Sequence, residues 1–146
     1  MPLYPVFLNL KGRSVLVVGA GAVGMRKARG LQAAGARVTV VATTFSGALP
    51  AGVRRLRRRY RTADVFRKLL VVAATDDTAL NARIAREARC AGALVNRADD
   101  AEDCDYQVPS VFRKGRLALA VSTGGSAPAL AKRIRLDLLK RYGGKA

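Results

Sequence analysis

A chain of 146 residues, half of them hydrophobic, is long enough for one main domain with a core of its own and leaves room for a small appendage. With no histidine, and with two cysteines, Cys90 and Cys104, that share no metal-ligand spacing, it is a poor candidate for a disulfide framework or a Cys/His zinc site. Its 27 Lys and Arg against 10 Asp and Glu give a formal charge of +17, a field that draws in polyanions, whether nucleic acid or a multiply carboxylated small molecule.

No apolar run approaches the roughly 20 residues of a membrane span. Met1-Pro2-Leu3-Tyr4-Pro5 has neither the basic start nor the apolar stretch of a signal peptide, so the expectation is a cytoplasmic protein outside the membrane. Pro5-Val6-Phe7-Leu8 reads as a short lead-in that packs on the domain, with a turn at Gly12 before the first strand.

Val15-Leu16-Val17-Val18 is an unbroken apolar run, the pattern of a parallel strand buried on both faces. It leads into Gly19-Ala20-Gly21-Ala22-Val23-Gly24, a G-x-G-x-x-G turn, and an Ala/Leu-rich helical segment closes at Gly35-Ala36. In such a turn Gly19 permits the sharp reversal, Gly21 lets backbone approach a pyrophosphate, and Gly24 lets the helix lie close to the strand. The helix start then offers unpaired N–H groups to an anion. A bare glycine pattern is weak evidence, but strand, turn and helix in this order favour a dinucleotide over an unliganded turn.

Val38–Val41 is the second strand. An acidic residue often grips the ribose 2′-hydroxyl at its end; here Ala42-Thr43-Thr44 stands instead, and no arginine directly there greets a 2′-phosphate, which leaves NAD and NADP both open. After a Ser/Gly/Pro/Ala loop, residues 54–61 hold six arginines in eight positions. With Val53, Leu56 and Tyr60 this reads as an edge strand or extended segment whose charge discourages edge pairing. A single interleaved aromatic and no nucleic-acid motif argue against specific nucleic-acid binding.

Leu69–Ala74 is another buried strand, ending in Thr75-Asp76-Asp77; Asp77 or Thr78 caps a helix to about Ala91, and Gly92 closes it before the strand Ala93-Leu94-Val95. Ligands of open parallel sheets gather at the carboxyl ends of the strands, where Thr75-Asp76 and Asn96-Arg97-Ala98-Asp99 fall. Residues 99–105 form the main acidic cluster; Glu102 and Asp103 read as polar loop, whereas a carboxylate crowded by Asp100 beside a cofactor is expected to have a raised pKa suited to proton transfer. Beyond Gln107, Val108–Phe112 and Leu117–Val121 flank a hairpin turn. Ser122-Thr123-Gly124-Gly125-Ser126 then leads to a helix from about Ala127 to Tyr142, started by Pro128 with Ser126 before it. Hydroxyls, glycines and a helix start make this a second candidate anion corner, although a plain capped loop has the same look.

These segments together resemble the N-terminal module of siroheme synthase, the precorrin-2 dehydrogenase and sirohydrochlorin ferrochelatase family. The resemblance rests on Tyr4–Leu10, the glycine turn with Arg26-Lys27, Ala73–Asp77 with Leu80-Asn81, Asn96-x-x-Asp99, Cys104-Asp105-Tyr106 with Pro109, and Val121–Ala131. The last of these, S-T-G-G-S-x-P-x-L-A, is far more specific than the glycines. The resemblance implies an α/β fold: a Rossmann-type parallel sheet with helices on both faces over residues 1–106, then a hairpin-plus-helix dimerisation and tetrapyrrole-binding region over 107–146, shorter than in many relatives. It implies that NAD accepts a hydride from precorrin-2 to give sirohydrochlorin, and that many members then insert Fe²⁺, a substrate and not a resident metal.

By the same resemblance, the cofactor contacts are Gly19, Gly21, Ala22, Val23, Gly24, Thr43, Thr44, Thr75, Asp76 and Asn96, and Asp99 is the catalytic base. The resemblance likewise implies that Ser122, Thr123, Gly124, Gly125 and Ser126 hold the acidic tetrapyrrole and that the protein is a homodimer. The basic charge fits a polycarboxylate substrate. Arg97-Ala98 departs from the small apolar pair often found between the Asn and the Asp, and Thr43 stands where proline is common. The competing reading is a non-catalytic NAD-sensing module that regulates a partner; Asp99 and the Thr123 corner favour the enzyme, since a sensor needs neither.

Overall fold

The computed structural model describes residues 3–143. Five parallel strands form one sheet in the order β3-β2-β1-β4-β5: β1 Ser14–Val18, β2 Arg37–Ala42, β3 Arg54–Arg57, β4 Leu70–Ala73 and β5 Leu94–Arg97. Helix α1, Ala22–Ala33, connects β1 to β2, and α2, Thr78–Cys90, connects β4 to β5. A 3₁₀ turn, Thr62–Val65, lies between β3 and β4. A separate antiparallel pair follows, β6 Ser110–Lys114 and β7 Leu117–Val121, and then α3, Pro128–Tyr142. The described residues fall into two units, Phe7–Tyr106 and one that joins residues 3–6 with residues 107–143.

The apolar runs are unbroken because the sheet is buried on both sides, and successive side chains point to opposite faces. Val15, Val17, Val38, Val40, Leu70 and Val72 pack with Met25 and Ala28 of α1. Leu16, Val18, Val41, Val71, Ala73 and Val95 pack with Ile84, Ala85 and Ala88 of α2. The Rossmann-type architecture with a helix on each face is therefore present, with the hairpin and helix following it.

Several local expectations need correction. The lead-in Pro5, Val6, Phe7 and Leu8 is exposed, because this stretch has no ladder partner to turn an apolar face inward; Leu10, just after it, is buried in the core. The turn at Gly12 is present, with φ +70°. Edge strand β3 stops at Arg57, and Tyr60 instead reaches the core, its hydroxyl donating to Glu87 at 2.6 Å. The first hairpin strand starts at Ser110, leaving Val108 exposed. Asp77 caps α2, accepting from the Leu80 N–H at 2.9 Å. Ser126, by contrast, does not cap α3: its hydroxyl donates to the Thr123 carbonyl at 2.6 Å, and Pro128 in the first turn is the start signal that holds.

The arginine-rich stretch is anchored at defined points. Arg58 grips Asp64 through both guanidinium nitrogens at 2.6 and 2.8 Å, and the Arg55 guanidinium lies 4.0 Å from the centre of the Phe45 ring. Among the described residues no helix is long and apolar enough to cross a membrane.

Candidate functional site

Parallel pairing places the carboxyl ends of the strands side by side. Val18 pairs with Val41 and with Ala73, and Ala73 pairs with Arg97. The glycine turn after β1, Thr43-Thr44 after β2, Thr75-Asp76 after β4 and the end of β5 therefore form one row along the sheet edge.

Two glycines of the turn are required by geometry. Gly19 has φ +100°, and a Cβ on it would stand 2.1 Å from the Ala74 carbonyl oxygen. A Cβ on Gly24 would stand 2.1 Å from the Gly19 carbonyl oxygen, so the close approach of α1 to the turn depends on its absence. Gly21 differs: a Cβ there would meet no protein atom within 4 Å. Gly21 is also the N-cap of α1 and supplies no side chain to the first turn, so the amides of Ala22, Val23 and Gly24 have no side-chain acceptor. Such a helix start suits an anion. The loop after β2 is tied to this turn, since the Ser46 N–H and hydroxyl both donate to the Ala20 carbonyl, at 3.1 and 2.9 Å; Thr43 and Thr44 in that loop are exposed.

The loop after β4 is organised by a residue absent from the candidate set, Asn81 of α2. Fully buried, its carbonyl accepts from the Thr75 N–H at 3.1 Å and the Thr75 hydroxyl at 2.7 Å, while its amide donates to the Thr75 carbonyl at 3.0 Å. Thr75 is half-buried and Asp76 is exposed. A second unanticipated residue, Lys27 of α1, reaches across to Asn96 of β5, Nζ to Oδ1 at 2.6 Å. Burial pushes the Lys27 ammonium below its ordinary value. The Asn96 amide is held in turn by the Tyr106 carbonyl at 2.9 Å, which fixes which way it faces.

The segment after β5 folds back and covers that strand's outer edge. The Asp105 N–H donates to the Val95 carbonyl and the Val95 N–H to the Asp105 carboxylate, both at 2.8 Å, and the Arg97 N–H points at the Cys104 sulfur at 3.1 Å. Cys104 is thereby structural, and burial pushes its thiol up. Glu102 is an exposed loop residue, whereas Asp103 lies between two arginines: Arg89 at 2.6 Å and Arg97 at 2.8 Å.

Asp99 is where the expectation of a raised pKa fails. Its nearest charge is Arg97, whose Nη2 and Nε meet its two carboxylate oxygens at 2.8 and 3.3 Å. The guanidinium holds the carboxyl below its ordinary value. Asp100 does not crowd it but shares the same cation, at 3.4 Å.

In the second unit, residues 122–127 form a self-bonded loop. The Ser122 hydroxyl accepts from the Gly124 N–H at 3.2 Å and the Thr123 hydroxyl accepts from the Ala127 N–H at 3.2 Å. Gly124 and Gly125 take φ +63° and +85°.

A family model described as "Putative NAD(P)-binding" matches residues 6–110, and one described as "Sirohaem biosynthesis protein central" matches 114–140. The precorrin-2 dehydrogenase of Priestia megaterium is 39% identical over 145 residues, covering 96% of this chain and 71% of that protein. This chain belongs to the precorrin-2 dehydrogenase and siroheme synthase family. A solved structure titled SirC, precorrin-2 dehydrogenase, superposes with TM-score 0.77 at 38% identity over 96% of this chain and 71% of that one. The siroheme synthase of Azotobacter vinelandii (strain DJ) is 44% identical over 140 residues; the chain spans 92% of itself but 30% of that relative's length. The NAD(P)-binding match spans the glycine turn and the start of α1. Lys27, Asn81 and Arg97, to which the sequence reading gave no site role, are the ones that fix Asn96, Thr75 and Asp99.

Proposed function

We propose that the chain is an NAD-dependent precorrin-2 dehydrogenase, oxidising precorrin-2 to sirohydrochlorin in siroheme biosynthesis, and that it works as a homodimer. One observation carries the reading beyond cofactor binding. An ionised carboxylate, Asp99, stands just past the end of β5, in the same row of strand ends as a glycine turn built for a dinucleotide.

The residues fit the cofactor. The first-turn amides of Ala22, Val23 and Gly24 receive the pyrophosphate, and Gly21 leaves the backbone open to it. Thr43 and Thr44 offer hydroxyls to the ribose; with no acidic residue and no arginine at that point, the preference for NAD rests on the family resemblance. Thr75, Asp76 and Asn96 border the nicotinamide end.

When bound, NAD⁺ accepts the hydride that leaves the substrate. Asp99 takes the accompanying proton, so that precorrin-2 and NAD⁺ give sirohydrochlorin, NADH and a proton. Ser122, Thr123, Gly124, Gly125 and Ser126 supply hydroxyls and amides to the substrate's carboxylates, and the net charge of +17 favours the approach of a polyanion. Fe²⁺ is a candidate second substrate: the same carboxylate can take up pyrrole protons displaced by the metal.

The test is anaerobic incubation with precorrin-2 and NAD⁺, following sirohydrochlorin by absorbance. Asp99→Ala is expected to lower kcat at least a hundredfold while leaving the Kd for NAD⁺ within about twofold. A folded, NAD-binding protein without turnover would refute the assignment.

A further inference from the structure

We propose that Arg97 is a positioning residue of this site, holding Asp99 as an oriented anion throughout the working pH range. The inference rests on the dehydrogenase reading, in which Asp99 receives the substrate's proton.

Arg97 is the last residue of β5 and shares a sheet face with Val95. Its backbone is pinned. The N–H points at the Cys104 sulfur at 3.1 Å, its carbonyl accepts from that thiol at 3.3 Å, and the next N–H, of Ala98, donates to the Ala73 carbonyl at 2.9 Å. The side chain is 10% exposed and leaves the strand end in a set direction. An arginine does not deprotonate in a protein, so this is a permanent positive charge.

Its planar fork divides between two carboxylates. Nε and Nη2 face Asp99 at 3.3 and 2.8 Å, a two-point contact that fixes carboxylate orientation as well as charge. Nη1 donates to Asp103 at 2.8 Å, and Asp100 adds an ion pair at 3.4 Å. From α2, Arg89 pairs with Asp103 at 2.6 Å and with Asp105 at 3.0 Å. From α1, Lys27 faces Asn96 and lies near Cys104. Asp103 thus has a cation besides Arg97, whereas no other ion pair to Asp99 occurs among the described residues. Protonating Asp99 would discharge the partner that takes two of the fork's three hydrogen bonds.

A plain structural bridge would add stability and, by linkage, lower the Asp99 midpoint too, but would not tie the acid limb of activity to Arg97. A positioning role makes both of the following demands. Asp99 must titrate below the ordinary aspartate value of about 3.9, and activity must keep its acid limb below that value as well.

Two measurements decide it. Carbon-13 carboxyl NMR of the wild-type chain reads the Asp99 midpoint directly and needs no turnover. A midpoint below about 3.9 is expected, and one at or above it overturns the proposal. In the pH profile of kcat, Arg97→Gln is expected to raise the acid limb by about one unit or more, with Arg97→Lys, which keeps charge but not the fork, lying between it and wild type. An Arg97→Gln profile that falls uniformly with an unmoved acid limb overturns the positioning role and leaves the dehydrogenase intact. A wild-type chain with a low Asp99 midpoint but no turnover overturns the dehydrogenase reading instead. Should Arg97→Gln fail to fold, Arg97→Lys and the wild-type titration still decide.

Discussion

Replacing Asn81 by Ala is the perturbation that links fold and site most closely. Asn81 is fully buried, and its side chain makes three hydrogen bonds to Thr75, at 3.1, 2.7 and 3.0 Å. At about 0.5–1.5 kcal/mol net per bond, with some return because half-buried Thr75 can turn to water, the loss comes to about 1–4 kcal/mol. For a chain of this size that lowers Tm by roughly 3–15 °C. Urea titration with a shared m-value gives the first quantity directly. The loop after β4 loses its anchor as well, so the variant's affinity for NAD⁺ should fall about tenfold at a temperature where it is fully folded. A stability loss under about 1 kcal/mol together with unchanged NAD⁺ affinity would refute the view that Asn81 shapes this loop.

Other consequences follow from single distances. Gly24→Ala places a Cβ 2.1 Å from the Gly19 carbonyl oxygen; a cost of about 1–3 kcal/mol and weakened NAD⁺ binding are expected by thermal melting and calorimetric titration. Tyr106→Phe removes a buried hydroxyl that has no hydrogen-bond partner among the described residues, and should leave stability unchanged or raise it by about 1 kcal/mol in the same urea assay. Asp64, Asp99 and Asp103 are all held below their ordinary values by facing arginines. In acid the unfolded chain therefore binds more protons than the folded one, so the stability these groups contribute is complete above about pH 5 and is lost as pH falls through their folded values. Asp64→Asn, by removing the Arg58 fork, should flatten the fall in urea midpoint between pH 6 and pH 3 relative to wild type, values spanning the range about the ordinary aspartate pKa of roughly 3.9.

Much of the fold could be read from patterns that act locally. Val15–Val18 and Leu70–Ala73 are apolar at every position, which in a short segment bounded by turn residues means a strand covered on both sides. Gly19 and Gly24 sit where a Cβ cannot, a constraint written at fixed spacing. The site's supporting residues were harder to see because their partners are distant in sequence. Lys27 meets Asn96 across 69 residues, and nothing in α1 alone announces it. Asn81 did leave a trace: it occupies a place in the buried stripe Asn81-Ile84-Ala85-Ala88, and a polar group there must find buried partners. Asp99 misled by adjacency. Asp100 is its neighbour in sequence, but the strand end aims Arg97 at it, and the closer opposite charge decides the sign of the shift. The lead-in before Leu10 misled through composition, since apolar residues without a ladder or a stripe have no face to bury.

The most direct test of the account is the product stoichiometry of an anaerobic reaction of the purified chain with precorrin-2. One NADH formed for each sirohydrochlorin, with no product when NAD⁺ is omitted, is the predicted result. Sirohydrochlorin appearing at the same rate without NAD⁺, or NAD⁺ bound with no NADH formed, would contradict it.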